Sequence, residues 1–151
     1  MVKDRHREVP ASYVVLIKDG RVLLLRRFNT GYMDGNYSLP AGHVDKGETF
    51  MQCAVREAKE EIGVELDPKN LKIAHIMHRF SGEEWGDLGY RIDVFFAIEK
   101  WNGEIKNMEP EKCDDLSWHD LNSLPENTIP YIKHALESIN KKIFYSEFGW
   151  N

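Results

Sequence analysis

Gly42-His43-Val44-Asp45-Lys46-Gly47-Glu48-Thr49-Phe50-Met51-Gln52-Cys53-Ala54-Val55-Arg56-Glu57-Ala58-Lys59-Glu60-Glu61-Ile62-Gly63-Val64 is the stretch that decides how this chain folds. Thr49 has the side chain of a helix N-cap, Phe50 to Ile62 contains neither Gly nor Pro, and Gly63 supplies a C-terminal stop. The spacing predicts a helix over 50–62. At roughly 100° per residue, Met51, Ala54, Val55, Ala58 and Ile62 form one apolar arc, and Glu57, Glu60 and Glu61 gather on an adjoining one. Glu61 falls between Phe50 and Ala54, at the margin of the buried side, with Glu57 beside it. A solvated helix face would set its acids opposite the apolar stripe and interleave them with Lys or Arg at i,i+4. Like charges one turn apart instead destabilise the helix until something neutralises them. A hard divalent cation does so, because Mg²⁺ takes oxygen ligands and keeps waters and substrate phosphates in its shell.

Outward from this stretch, Ser12–Lys18 and Arg21–Arg27 are β-rich runs joined by Asp19-Gly20, a strong hairpin signal. Phe28–Ser38, rich in Gly, Asn and Tyr, is expected as a loop, and Leu39–Val44 as a short strand leading into the helix. Leu71–Phe80 and Tyr90–Glu99 are long strand candidates flanking a loop over Ser81–Gly89. Asp115–Trp118 is expected as a last short strand and Tyr131–Lys142 as a second helix opened by Pro130. No repeat, linker or low-complexity segment interrupts the succession, and 151 residues at 42% hydrophobic composition suffice for one domain with one core over 1–151.

The net charge of −5 leaves no excess of Lys and Arg to displace counterions, which argues against binding a nucleic-acid duplex. Any polyanionic ligand would then have to be met by metal and a few placed cations. Cys53 and Cys113 match no zinc spacing and are expected as reduced thiols in a cytoplasm. No apolar run approaches membrane length, and the opening residues are too polar for a secretory signal, so no membrane association is expected.

Gly42, Glu48, Arg56, Glu57, Glu60, Glu61, Gly63 and Val64 stand at the spacing that resembles the signature of the Nudix hydrolase family, with Ala58 small where a bulkier aliphatic also fits. Outside the signature the resemblance is to the MutT-like branch. It implies an α/β fold, a mixed β-sheet sandwiched between α-helices, and metal-dependent cleavage of a nucleoside di- or triphosphate, or of a nucleoside diphosphate linked to a moiety X. Oxidised or canonical purine triphosphates lead, with nucleotide sugars and dinucleoside polyphosphates behind. The cofactor implied is Mg²⁺, with Mn²⁺ as an alternative. The partner implied is a small nucleotide, and the chain would be a monomer or homodimer.

By the same resemblance, Glu57 and Glu61 would be direct metal ligands, Glu60 a further ligand or the base, and the Ala41 carbonyl another ligand. Arg56 and Glu48 would orient the neighbouring carboxylates through bidentate hydrogen bonds. Gly42 and Gly63 would serve backbone geometry. Arg26 would contact phosphate or else reach solvent from its strand end, and Tyr32 would contact the nucleoside. Glu111, ahead of Glu109, would add an acid from a loop beyond the helix, against a solvated charge run. Asn127 would read a base edge, since an amide donates and accepts at once, although Asn in a Pro-flanked turn also serves local backbone needs. Trp118 is expected on a core or sheet face, and His75 and His78 in structural roles. Trp85 either caps a substrate pocket or packs as a satellite of the core. The aromatics of Phe144–Trp150 are expected to pack on the domain or on a second subunit. A nucleotide-sensing module that does not turn over is the rival function; intact Glu57, Glu60 and Glu61 weigh against it. Isopentenyl-diphosphate isomerisation would need a catalytic Cys motif that neither cysteine offers.

Overall fold

The computed structural model describes residues 3–151. Strand β1 (Val9–Lys18) turns at Asp19 and Gly20 into β2 (Arg21–Arg27). Both turn residues have positive φ, 52° and 73°, the backbone that a two-residue turn matched to strand twist requires. After a loop come β3 (Tyr37–Ser38) and β4 (Ala41–His43), then helix α1 (Phe50–Ile62), β5 (Lys72–Phe80), β6 (Tyr90–Ile98), β7 (Cys113–Asp120), α2 (Pro130–Asn140) and β8 (Tyr145–Phe148). Among the described residues, no helix is long and apolar enough to cross a membrane.

The sheet is mixed. Strand β1 runs parallel to β6 along Val9–Leu16 and antiparallel to β4 at Ala11–Tyr13, while its far end pairs with β2. Strand β5 joins β6 antiparallel, and β2 carries β3 and β7 as antiparallel partners. Each helix covers one face. Ala54, Ala58 and Ile62 of α1 pack on Val14, Leu16, Leu23, Val94, Phe96 and Ile98. Ile132, Ala135 and Leu136 of α2 pack on Tyr13, Val15, Val22, Leu24, Met77 and Phe95. This is the expected sandwich.

Local chemistry explains the ends of α1. Thr49 accepts from the Gln52 amide at 3.1 Å while the Gln52 side chain accepts from the Thr49 amide at 2.9 Å, a reciprocal capping box. Gly63 closes the helix at φ 73°. The buried flank differs from the expected arc. Cys53 and Glu57 accompany Ala54, Ala58 and Ile62 inward, whereas Met51 is 37% exposed. The i,i+4 row from Ala54 is flanked by the row from Cys53, which carries Glu57 into the protein.

Three further boundaries depart from the sequence reading. Tyr37–Ser38, expected in a loop, pairs with Leu25–Arg26 as β3. The last short strand extends over Cys113–Asp120 because β2 offers it a full edge. The aromatic tail lays down β8, parallel to β5 from Ile76 to Arg79, where His75 bonds the Ile143 carbonyl and the Ser146 hydroxyl, each at 2.7 Å. Trp150 donates to the His78 carbonyl at 2.9 Å and packs near Phe80 and Tyr90, so the tail does rest on its own domain. His78 meets Glu8 at 2.9 Å and packs against Trp150, and Trp118 stacks on Trp101 at the margin of the α1-side core. Both cysteines are free thiols.

Candidate active site

Glu57 is 9% exposed, and its carboxylate fills the space above Gly42, where a Cβ would overlap it. That close approach, rather than an unusual φ, explains the glycine; Gly63 by contrast is needed for its left-handed cap. One turn on, Glu61 accepts from the Ala41 amide at 3.4 Å, which sets the Ala41 peptide beside it. Glu57 and Glu61 face one another. Burial, first, and then the neighbouring carboxyl push Glu61 well above the ordinary carboxylate range, and burial also raises Glu57. Burial and mutual proximity thus disfavour ionising both carboxyls together, a cost that a bound cation would offset.

Arg56 organises the acids around this pair. Its guanidinium meets Glu48 in two parallel bonds, Nε to Oε2 at 2.7 Å and Nη2 to Oε1 at 2.9 Å. Nη1 donates to Glu57 Oε1 at 2.7 Å and reaches Glu60 at 3.4 Å, and Nη2 also donates to the His43 carbonyl at 3.2 Å. Three elements, the Asp45–Glu48 loop, β4 and α1, are thus tied through one planar cation. Arg56→Lys, which keeps the charge and loses the fork, is expected to reduce kcat about 10–100-fold, the usual scale for groups that orient metal ligands. If Arg56→Lys behaves as wild type while Arg56→Ala is inactive, charge alone is what Arg56 supplies.

The Arg56 hydrogen bonds also hold Glu48 down to about 2 from an ordinary 4.5. A depressed carboxylate stabilises the fold above its unfolded value and loses that contribution as pH falls from about 4.5 through 2. The urea midpoint of Glu48→Gln is therefore expected below wild type at pH 7, with the gap narrowing on acidification; a gap independent of pH would contradict this linkage.

Two cavities meet at the acids. One, of about 290 Å³, lies beneath the loops over 28–36 and 82–89 and is lined in part by Tyr13, Tyr32, Arg79, Trp85, Arg91 and Tyr131. The other, of about 530 Å³, is lined by Glu57, Glu60, Glu109 and Lys112 among others. Glu61, Arg27 and Leu25 border both. Among the described residues, no three carboxylate, imidazole or thiolate groups already surround one cation-sized point. Mg²⁺ commonly takes one or two protein carboxylates and completes its shell with water and substrate phosphate, so the Glu57–Glu61 pair fits it. Glu60, largely solvated and held only at long range by Arg56, borders the second cavity.

The structure brings together Ala41, Gly42, Glu48, Arg56, Glu57, Glu60, Glu61 and Tyr32, and leaves three expected residues outside. Arg26 sits on the opposite face of β2 from Leu25, bonded to Asp114 at 2.7 Å and lying against Tyr37, because strand residues alternate; the cation that reaches the cavities is Arg27. Glu111 is exposed on the turn after Glu109, and it is Glu109 that borders the second cavity and bears on Glu61. Asn127 lines neither cavity. Its amide donates to the Gly35 carbonyl at 2.9 Å and its own carbonyl accepts from Tyr37, so it pins the 28–36 loop to the turn before α2.

Arg79, Arg91 and Asp93 were missed by sequence reasoning. The signal was present in β5: on the inward phase His75, Met77, Arg79, a cation stands where an apolar residue is expected. Arg79 is 4% exposed and Asp93 fully buried; they pair at 2.6 Å, with further Arg79 bonds to Ser81 at 2.9 Å and the Tyr13 hydroxyl at 3.4 Å. The guanidinium lies 3.7 Å from the Tyr131 ring centroid.

The sequence model of the NUDIX domain matches residues 6–139. The chain is 34% identical over 137 residues to an NAD-capped RNA hydrolase, NudC, of Chromobacterium violaceum, covering 87% of this chain and 48% of that one. It is 33% identical over 112 residues to an ADP-ribose pyrophosphatase of Methanocaldococcus jannaschii, covering 74% and 62%. It therefore spans about half of one relative and under two thirds of the other. In fold it is similar to a MutT NUDIX hydrolase from Burkholderia pseudomallei, with TM-score 0.75 and 24% identity over 87% of this chain and 97% of that one. A MutT protein from Methanosarcina mazei gives 0.75 and 21% over 93% and 98%.

Proposed function

The chain belongs to the NUDIX domain family, and on that footing we propose that it is a metal-dependent pyrophosphohydrolase acting on a diphosphate that joins two organic moieties, at least one of them a nucleoside. The observation that carries this reading is the position of the Glu57–Glu61 pair between two cavities that share Glu61, Arg27 and Leu25. A diphosphate seated on the pair has room for a substituent on each side. A triphosphate would use one side for its nucleoside and leave the other to solvent. Relatives named for ADP-ribose and for NAD-capped RNA support the same substrate class. The purine triphosphate expected from the sequence loses support with Asn127 away from the cavities.

Glu57 and Glu61 would hold the divalent cation, with the Ala41 peptide beside them. Bound there, the ion would neutralise phosphate oxygens and favour hydroxide over water as nucleophile. The chain's own groups do the rest. Arg56 fixes Glu57 and Glu48, Arg27 offers positive charge where the two cavities meet, and Glu60 is the carboxylate free to accept a proton from the attacking water. Placement and charge are the main catalytic factors for such a reaction.

A panel comparing ADP-ribose and dinucleoside diphosphates with nucleoside triphosphates, each with Mg²⁺ or Mn²⁺, tests the reading by product chromatography. Two nucleoside or sugar monophosphates are expected from the two-sided substrates, with kcat/KM at least about tenfold above any triphosphate. Preference for triphosphates with pyrophosphate release would overturn it.

A further inference from the structure

Arg79 and Arg91 stand directly opposite each other on the antiparallel pair β5–β6, on the face of the sheet that lines the smaller cavity. Like charges so placed repel each other unless an acid is shared between them. The acid on that face is Asp93, two residues along β6. Arg79 takes one of its oxygens with Nε at 2.6 Å and the other with Nη2 at 3.4 Å, so Asp93 satisfies one guanidinium and not both. The side-chain partners of Arg91 among the described residues are uncharged: Nε donates to the Leu88 carbonyl at 2.6 Å and Nη1 to His43 Nε2 at 3.2 Å. In a chain of net charge −5, this cavity is lined by three arginines and one glutamate.

Strand register explains how Arg91 is held. Ala11 of β1 pairs with His43 of β4 on one side and with Asp93 of β6 on the other, so only a methyl group separates these strands on this face. His43 and Arg91 reach each other across it. A guanidinium nitrogen donates and cannot accept, so His43 Nε2 is the acceptor and its imidazole is neutral. The guanidinium also lies 5.8 Å from the Trp85 ring centroid. Fixed by a carbonyl, an imidazole and a ring, half-buried Arg91 keeps Nη2 and one proton of Nη1 without a partner among the described residues. That end of the fork is the one that meets a phosphate. Its neighbours Trp85 and Leu88 are both exposed, which leaves the edge open to a ligand entering from solvent.

We propose that Arg91, positioned by His43, recognises a phosphate monoester on the moiety held in the smaller cavity, a phosphate additional to the diphosphate that is cut. The substrate class narrows accordingly to a nucleoside diphosphate whose sugar bears a further phosphate. Arg27 and Glu61 border both cavities, where the diphosphate would lie, whereas Arg91 borders the smaller one alone; its ligand therefore belongs to the substituent and not to the bond that breaks. A monoester brings nearly two negative charges and three acceptor oxygens to a place where two guanidiniums share one carboxylate. This deepens the reading given above and rests on it only in taking the ligand to be a nucleotide.

Calorimetric titration without added metal tests the site apart from hydrolysis. AMP, adenosine 2′,5′-bisphosphate and adenosine 3′,5′-bisphosphate differ only in the second phosphate and its position. Wild type is expected to bind at least one bisphosphate about tenfold or more tighter than AMP, the scale of one charge-assisted hydrogen bond, and the two isomers show which hydroxyl is read. Arg91→Gln should bring that ratio down to about twofold or less, and Arg91→Lys should keep part of it. His43→Gln, whose amide oxygen can still accept from Nη1, should keep the ratio, and His43→Leu should lower it. Melting curves for each variant confirm folding. Equal binding of AMP and both bisphosphates by wild type, including no binding of any, overturns the proposal. So does an Arg91→Gln variant that keeps the wild-type ratio. A bisphosphate preference that depends on Arg91 in a protein that hydrolyses no diphosphate would leave this site standing and remove the hydrolase reading instead.

Discussion

Glu61→Gln is expected to lower kcat roughly a thousandfold or more on whichever diphosphate the protein cleaves best, while leaving the metal-free fold as stable as wild type or more so. Gln keeps the shape of Glu61 and removes one of two carboxyls that face each other with their ionisation suppressed by burial. Without a cation that pairing is unfavourable, so neutralising one member relieves repulsion. With substrate present, the same change removes a ligand charge from the place where phosphate oxygens must be neutralised. A thousandfold corresponds to about 4 kcal/mol of lost transition-state stabilisation, within the range attributed to a Lewis-acidic ion. Steady-state kinetics and a melting curve in chelator give the two halves. A wild-type rate in Glu61→Gln would sink the assignment of the carboxylate pair; an equal loss of rate and of stability would mean the residue is structural.

The largest expected effect on stability lies away from the acids. Asp93→Ala strands Arg79 in the protein interior, stacked on Tyr131 and bonded to Ser81 and Tyr13, with its charge uncompensated. Removing one partner of a buried pair costs about 3–5 kcal/mol. For a chain of this size that is a fall in Tm of roughly 6–20 °C. The double variant Asp93→Leu with Arg79→Leu should recover much of the loss, because what costs most is the unpaired charge and not the absence of the pair. Thermal unfolding of the single and double variants checks this. A single variant within about 1 kcal/mol of wild type would show that water reaches Arg79 through the cavity it borders.

How much of this was legible beforehand depended on the range of the interactions concerned. Helix α1 was legible from Thr49 to Gly63 because cap, periodicity and stop are local. The convergence of Glu57, Glu60 and Glu61 followed from the same periodicity. What the helix wheel could not give was which neighbouring row goes inward, because Glu57 is buried by its fit over Gly42, a contact between separate elements. Arg26 and Arg27 are adjacent in sequence and opposite in space, and only the pairing of β2 with β3 and β7 decides which one meets the cavity. Asn127 has the residue type of a base reader, yet its partner Gly35 lies in a loop whose path no local signal encodes. The same holds for Arg91 and His43, which meet only because β4 and β6 flank β1. Arg79 could have been flagged, since an inward-phase cation in a strand demands a partner.

If a divalent cation held by Glu57 and Glu61 drives cleavage of the diphosphate, the hydrolysis rate of ADP-ribose will follow free Mg²⁺ after exhaustive chelation. No turnover is expected in chelator, with recovery on titrating Mg²⁺ back and a half-saturating Mg²⁺ concentration that moves sharply upward in Glu57→Gln. Turnover that persists in chelator, or a Mg²⁺ dependence identical in wild type and Glu57→Gln, would contradict it.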